Sequence, residues 1–180
     1  MPLSADEFQS LFGSFEKSAF RLQLLPEYEI VDEQEDYAKF LAGEPLPERS
    51  GIPWLKTMAG QVSRGREWTN VHLLPECLTP YLRYLIDWWY VYQDRAGARI
   101  RFLPHRYAQE IHALAPHDFW LFDDRVMILL HYAPSGELLE AEDASSPASL
   151  ALARRARDFA LPHAENLRAI LARRRAGSLA

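Results

Sequence analysis

The sequence lacks several features that commonly reveal a protein's chemistry. Its single cysteine, Cys77, excludes an internal disulfide bond and a cysteine-rich zinc site. It has no glycine-rich phosphate loop and no Gly-x-Ser-x-Gly motif, so neither nucleotide binding nor a serine hydrolase is indicated. No apolar run approaches the ~18 residues that cross a bilayer, and no basic segment followed by an apolar run opens the chain. We expect a cytoplasmic protein without a membrane partner.

Basic residues are also scarce relative to acidic ones. Twenty Lys and Arg stand against 25 Asp and Glu, which gives a formal net charge of -5 and a pI near 5.7. A general phosphate-binding surface requires an excess of cations, so no direct nucleic-acid binding is expected. The six histidines are scattered and form no i, i+4 pair with acids. We therefore expect no bound metal and no cofactor.

The composition suits one compact domain over residues 1–180, because 48% of the residues are hydrophobic and five are Trp. Residues 1–43 are predicted to form a helix, a strand and a helix. Within them, residues 18–25 alternate like a half-buried strand, with Arg21 and Gln23 on the side away from Phe20 and Leu22. Residues 44–53 have the prolines and glycines of a loop, and residues 54–180 are predicted to form the main α/β body.

The stretch 117–132 is predicted to be the central hairpin. Two runs of aromatic and β-branched residues flank Asp123, Asp124 and Arg125, and Asp favours turns whereas the flanking residues favour strands. Further strands and helices are predicted on both sides of it. The expected fold is therefore α/β or α+β, with a mixed sheet whose central hairpin is flanked by helices.

One predicted helix is rich in Tyr and Trp. It begins at Thr79 and Pro80 and runs to about Asp94, and it is apolar almost all round. Tyr and Trp are enriched where an apolar surface meets a ligand or another protein. An ordinary surface ion pair between Arg83 and Asp87, one turn apart, is the simpler interpretation of those two charges. The candidate ligand or partner residues are Arg83, Tyr84, Asp87, Trp88, Trp89 and Trp120.

Residues 15–22, 40–47 and 118–124 resemble the signature segments of a family of uncharacterised actinobacterial proteins. The resemblance covers most of the chain. Members of that family are often encoded beside helix-turn-helix regulators, which implies a regulatory accessory or ligand-sensing role with such a regulator as partner. The family supplies no catalytic residues.

A second, more distant resemblance concerns the phospholipase D superfamily. His117, Phe119 and Asp124 have the spacing of its His-x-Lys-x-x-x-x-Asp motif, with Phe119 in the place of the lysine. The resemblance implies a phospholipase D-like fold in which phosphodiester chemistry is lost, because a phenyl ring cannot bind or neutralise a phosphate. Two such motifs form one site in that superfamily, so a homodimer is compatible with the likeness.

Two functions follow as expectations. The first is a non-enzymatic regulatory or ligand-sensing protein that acts with a helix-turn-helix regulator and binds a small molecule beneath the aromatic helix. The alternative is an enzyme that acts on a phosphorylated or small polar substrate through a degenerate phospholipase D-like site. Its catalytic residues would be His117, Asp124 and His131.

Overall fold

The computed structural model describes residues 1–48 and 51–179, in which seven strands form one mixed sheet of order β6-β5-β4-β1-β2-β3-β7. Strands β1, β2 and β3 are parallel, and the other neighbours are antiparallel. The strands are β1 Ser18–Gln23, β2 Glu67–Leu73, β3 Arg99–Leu103, β4 Asp118–Phe122, β5 Val126–Tyr132, β6 Leu138–Asp143 and β7 Glu165–Asn166.

Helices cover both faces of this sheet. They are α1 Ala5–Ser14, α2 Gln34–Leu41, α3 Pro53–Ser63, α4 Pro80–Tyr84, α5 Tyr90–Arg95, α6 Ala108–Leu114, α7 Pro147–His163 and α8 Leu167–Arg175. A π-helical turn, Leu85–Trp89, joins α4 to α5, and 3-10 turns precede α2 and α6. Several helices begin at a side-chain cap that accepts a backbone hydrogen bond; these caps are Ser4, Thr79, Ser146 and Asn166.

The two faces of the sheet have different cores. One face carries an aromatic layer that includes Phe12, Trp68 and Trp120 and is covered by α1, α3, α4, α5 and α8. The other face packs aliphatic side chains of the strands against the small buried residues Ala153, Ala156 and Ala160 of α7. Small residues let a helix approach a sheet closely. The candidate cavity described below lies on the aromatic side.

The predicted mixed α/β fold is confirmed, and the hairpin of residues 117–132 forms as β4 and β5. The middle position of the sheet, however, belongs to β1, so the N-terminal section shares one sheet with the main body. The prediction that β1 is half-buried was wrong. Arg21 and Gln23 lie beneath the aromatic side, and Gln23 is only 4% exposed, because a central strand is covered on both faces.

Other boundaries agree closely with the sequence patterns. The expected break near Pro162 occurs where α7 gives way to β7 and α8, although the two-residue β7 was not predicted. The predicted 44–53 loop includes Arg49 and Ser50, which lie outside the described residues. Within the described part of the chain, no helix is both long enough and apolar enough to span a bilayer.

The turn between β4 and β5 is tied to the beginning of β1. Asp123 and Asp124 both have left-handed backbone angles, with φ of 52° and 58°. The Asp123 carboxylate accepts hydrogen bonds from the amides of Glu16, Lys17 and Ser18 at 2.7, 2.7 and 2.9 Å. Burial raises the pKa of Asp123, but these amides lower it more, so the pKa lies below its ordinary value. Asp123 is therefore a structural residue that fixes the position of β1.

We expect Asp123→Asn to lower the free energy of unfolding by about 1–3 kcal/mol, because an amide cannot accept all three backbone hydrogen bonds. Asn tolerates the left-handed conformation, so the change isolates those bonds. Urea unfolding measures the effect. Asp124→Asn is the matched control: it changes the same turn and loses only a partly exposed ion pair with Arg157. Equal effects of the two substitutions would contradict this role of Asp123.

Candidate ligand-binding site

A cavity of about 600 Å³ lies on the aromatic side of the sheet. Three neighbouring strands form its floor: Arg21 of β1 is paired directly with Trp120 of β4 and with Asn70 of β2. Residues from helices α1 to α5, the π-helical turn and the segment preceding α2 form the walls. The volume is within the ~300–1,000 Å³ typical of small-molecule sites. The cavity is thus large enough for a small organic ligand.

Arg21 places a charged group in the middle of this floor. Its Nη2 donates a hydrogen bond to the Tyr132 hydroxyl at 3.2 Å, whereas its buried Nε has no partner among residues 1–48 and 51–179. The guanidinium carbon lies 5.4 Å from the centre of the Trp120 ring and 5.8 Å from that of Tyr28, within cation–π range. In the described chain no carboxylate forms an ion pair with Arg21. The guanidinium therefore retains most of its five N–H donors for another partner.

Longer-range electrostatic interactions stabilise the protonated form of Arg21. Burial lowers the pKa of its guanidinium, but Tyr132, Tyr28 and Asp118 raise it more, so the pKa lies above its ordinary value. Arg21 therefore stays protonated. Beside it, Asn70 is only 3% exposed, and its Oδ1 has no hydrogen-bond partner in the described part of the chain. Buried polar atoms without partners are rare in folded proteins, which makes this pair of side chains unusual.

A buried polar network supports the floor from one side. The Tyr28 hydroxyl donates to Asp118 at 2.5 Å, and His72 lies 2.6 Å from the Tyr90 hydroxyl. Burial raises the pKa of Asp118 to about 6 and lowers that of His72 to about 4. His72 is therefore neutral at pH 7. The network fixes the side chains around Arg21 without providing it with a contacting counter-ion.

One wall of the cavity is acidic. Asp32, Glu33 and Asp36 come from the 3-10 turn and the first turn of α2. Glu33 is 7% exposed and Asp36 is 5% exposed, which is unusual for carboxylates. The Tyr81 hydroxyl donates to Glu33 Oε2 at 2.5 Å. Burial raises the pKa of Glu33 to about 7, although the bond from Tyr81 lowers it. The cavity thus has a cationic floor and a wall of carboxyl groups.

Aromatic rings complete the enclosure. Trp54 of α3, Tyr84 of α4 and Trp89 of the π-helical turn line the cavity together with Trp120. The Trp54 and Trp120 rings lie 6.4 Å apart at 74°, in an edge-to-face arrangement. A π-helical turn is a local irregularity often found at functional sites. These rings offer flat apolar surfaces against which a planar ligand can stack.

The six candidate residues named from the sequence are divided by the structure. Tyr84, Trp89 and Trp120 line the cavity. Trp88 is 4% exposed and belongs to the core, and Arg83 is half-buried outside the cavity lining. The expected pairing of Arg83 with Asp87 does not form, because Asp87 is bound by Arg174 of α8 at 2.6 and 2.9 Å.

The three residues of the alternative enzymatic site are not brought together. The His117 and His131 rings lie 5.4 Å apart at the open end of the β4–β5 hairpin. Asp124 lies in the turn at the opposite end, where Arg157 binds its carboxylate. Strands rise ~3.3 Å per residue, so the length of β4 separates Asp124 from both histidines. Phe119 is fully buried in the aliphatic core.

His131 instead belongs to a polar group on the surface of the sheet. Its Nε2 lies 3.0 Å from Glu142, and Glu140 offers an oxygen within 4.8 Å of both. Such a group has the residue types of a metal site, which the scattered histidines of the sequence did not indicate. The ion pair with Glu142 already accounts for the position of the His131 ring.

Three residues of the site were missed at the sequence level: Arg21, Asn70 and Glu33. Arg21 was assigned to an outer face, and Asn70 and Glu33 were not singled out. The parallel pairing of β1 with β2 would have revealed the positions of Arg21 and Asn70, because strands that are covered on both faces have all their side chains inside the protein. The order of the strands, and therefore this pairing, could not be derived from the sequence.

Comparison with known proteins gives a family and one distant structural likeness. Residues 6–172 match the family described as Domain of unknown function (DUF6879). The chain belongs to this family. The prediction of an uncharacterised family is thereby confirmed. No curated protein matches the sequence. Among solved structures, the chain is similar to Nuc, a phospholipase D family member from Salmonella typhimurium, with 10% identity, a TM-score of 0.49, and coverage of 87% of this chain and 86% of that chain.

Glu33 predicts a pH dependence of stability. Its pKa of about 7 in the folded protein lies above the ordinary 4.5, so its stabilising contribution is complete below pH 4.5 and is lost as the pH rises through 7. The Gln side chain of Glu33→Gln does not titrate, so the variant does not lose stability in this way, and its amide oxygen still accepts a hydrogen bond from Tyr81. We expect the free energy of unfolding of the variant, minus that of the native protein, to increase by up to about 3 kcal/mol between pH 4.5 and 8.

Urea unfolding at pH 4.5, 6, 7 and 8 measures this difference. Asp118 titrates in the same direction in both proteins, so the comparison cancels its contribution. Exposed Glu76→Gln is the matched control and should change stability equally at every pH. A difference between native and Glu33→Gln proteins that does not change with pH would contradict the buried position of Glu33.

Proposed function

We propose that this protein is a non-enzymatic, small-molecule-binding protein whose ligand places an anionic group against Arg21. The observation that carries the proposal is the Arg21 guanidinium in the floor of a 600 Å³ cavity, without an ion-pair partner among the described residues. A planar body of the ligand would contact Trp54, Trp89 and Trp120. We further propose that binding has a regulatory purpose.

The energetics of a buried charge support an anionic ligand group. Removing a charge from water costs several kcal/mol unless it is paired and hydrogen-bonded. Arg21 obtains one hydrogen bond and two ring contacts, which compensate this cost only in part. A carboxylate can accept two parallel N–H bonds from one guanidinium, the strongest pairing available to Arg. The open donors of Arg21 are therefore suited to such a group.

The chemistry of the lining supports binding without turnover. In the part of the chain that the structure describes, no cysteine, histidine or lysine side chain lines the cavity. Histidine, cysteine and lysine are common nucleophiles and proton-transfer groups of enzyme sites, and the carboxyl groups of Asp32, Glu33 and Asp36 are the proton-transfer groups that the cavity does hold. The lining otherwise offers amides, a guanidinium and rings, which orient and hold a ligand. The separation of Asp124 from His117 also disfavours the enzymatic alternative.

The regulatory part of the proposal includes a helix-turn-helix regulator as partner. It is supported by the resemblance of residues 15–22, 40–47 and 118–124 to a family often encoded beside such regulators. The half-buried Trp89 lines the cavity and lies in the π-helical turn between α4 and α5, within the segment that is rich in Tyr and Trp. A ligand that contacts Trp89 can thereby alter this helix. Changes at a helix are a common route by which ligands bias an interface.

Binding of indole-3-propionate, measured by isothermal titration calorimetry, tests the anionic site. We expect its uncharged amide analogue to bind at least about tenfold more weakly, because the amide lacks the charge-assisted pair with Arg21. Arg21→Gln should weaken the acid by a similar factor and leave the amide unchanged, and Arg21→Lys should have an intermediate effect.

Exposed Arg106→Gln is the matched control and should not affect binding. If Arg21→Gln fails to fold, as judged by circular dichroism, the rim variant Trp89→Ala supplies the test and should weaken the acid and the amide alike. Equal binding of acid and amide to the native protein would contradict the proposed anionic site.

Co-purification of the tagged protein with the helix-turn-helix regulator that we propose to be encoded beside it tests the partner. Light scattering then counts the chains and shows whether the protein alone is a homodimer. We expect a complex whose stability changes when the cavity ligand is added. The absence of a complex in a folded sample would contradict the regulatory role. It would not affect the proposal that the cavity binds a small molecule.

A further inference from the structure

The two ends of the cavity carry opposite charges. Arg21 lies on the floor, and the buried carboxylates of Glu33 and Asp36 lie on the wall formed by the start of α2. Arg21 forms no ion pair in the described chain, and it interacts with Glu33 only electrostatically, without a hydrogen bond between them. The cavity is therefore arranged around a gap between the Arg21 guanidinium and the Glu33 carboxyl group. An occupant that carries both charges would fill this gap.

We propose that the ligand is a zwitterionic amino acid with a flat aromatic side chain, its carboxylate on Arg21 and its ammonium on the Glu33 wall. This inference rests on the proposed function, since it names the ligand class of the same cavity. The ring is placed among Trp54, Trp89 and Trp120, where edge-to-face and stacked contacts are available.

Glu33 is the residue proposed to bind the ammonium group. The Tyr81 hydroxyl binds its Oε2 and fixes the carboxylate, and the side chain lines the cavity. An ammonium presents three N–H donors without a fixed fork, so it can bond the Glu33 carboxylate and a neighbouring acceptor together. Asn70 contributes such an acceptor to the floor, since its Oδ1 has no partner among the described residues.

A purely anionic ligand fits this arrangement less well. Its carboxylate would gain the interaction with Arg21, but the Glu33 and Asp36 carboxylates would repel it. A purely cationic ligand would meet the opposite conflict, because it would approach the Arg21 guanidinium. Only a molecule with both charges converts the two buried groups into favourable contacts. The ligand class thus follows from the distribution of charge in the cavity.

Three related probes separate these possibilities: L-tryptophan, indole-3-propionate, which lacks the ammonium, and tryptamine, which lacks the carboxylate. L-phenylalanine, 3-phenylpropionate and phenethylamine repeat the comparison with a smaller ring. Calorimetric titration of the full chain measures each affinity. We expect at least one amino acid to bind about tenfold or more tightly than both of its truncated analogues, because each truncation loses one charge-assisted pair.

Two substitutions assign the two charges. Glu33→Gln should weaken the amino acid and the amine about tenfold while leaving the propionate equal or stronger. Arg21→Gln should weaken the amino acid and the propionate but not the amine. Exposed Glu76→Gln is the control and should change none of the affinities. If circular dichroism shows that Glu33→Gln is not folded, the affinities of the six probes for the native protein are sufficient to test the zwitterionic ligand.

The outcomes distinguish this inference from the proposed function. Propionates that bind at least as tightly as the amino acids, with no effect of Glu33→Gln, would overturn the zwitterion and preserve an anion-binding site. Amines that bind most tightly and do not depend on Arg21 would overturn both. Failure of all six probes to bind a folded protein would overturn the amino-acid assignment.

Discussion

The central constraint of this structure is a guanidinium in the middle strand of the sheet. Strand β1 is fourth of seven and is covered on both faces, so Arg21 is half-buried, with its Nε fully enclosed, and lies far from the sheet edges. Its neighbours must therefore accommodate a charge. Trp120 and Asn70 beside it, and the polar network of Tyr28, Asp118 and Tyr132, all follow from that need. A buried charge limits the residues that can surround it more strongly than an apolar group does.

The same constraint explains why the acids opposite Arg21 matter. Asp118, with a pKa of about 6, and Glu33, with a pKa of about 7, are both destabilised as anions by burial. A sequence under selection for stability alone would replace such groups with apolar ones, which is often neutral or favourable. Glu33 lines the cavity, and Asp118 belongs to the polar network beside its floor, so both costs fall around the site that we propose to bind a ligand.

Part of this architecture is readable from the sequence, and part is not. Strands β2 to β6 and the capped helices follow from local alternation and from residues such as Ser4 and Thr79, because those signals act over a few residues. Trp89 and Trp120 were also identified as candidate binding residues, because Trp is enriched at binding surfaces. Arg21 was placed on an outer face, since alternation cannot show that a strand is central. The order of strands depends on contacts between distant segments, and the cavity depends on that order.

The bonds from Asp123 to residues 16–18 have a consequence for how the chain folds. They join segments 105 to 107 residues apart, and β1 needs β4 as its second neighbour. During synthesis, β1 can pair with β2 well before β4 exists, so one edge of the nascent sheet stays open until the hairpin arrives. Such non-local closure slows folding. The Asp123 carboxylate can accept the bonds from residues 16–18 only after the hairpin has formed, and the cavity floor is complete only once β4 has paired with β1.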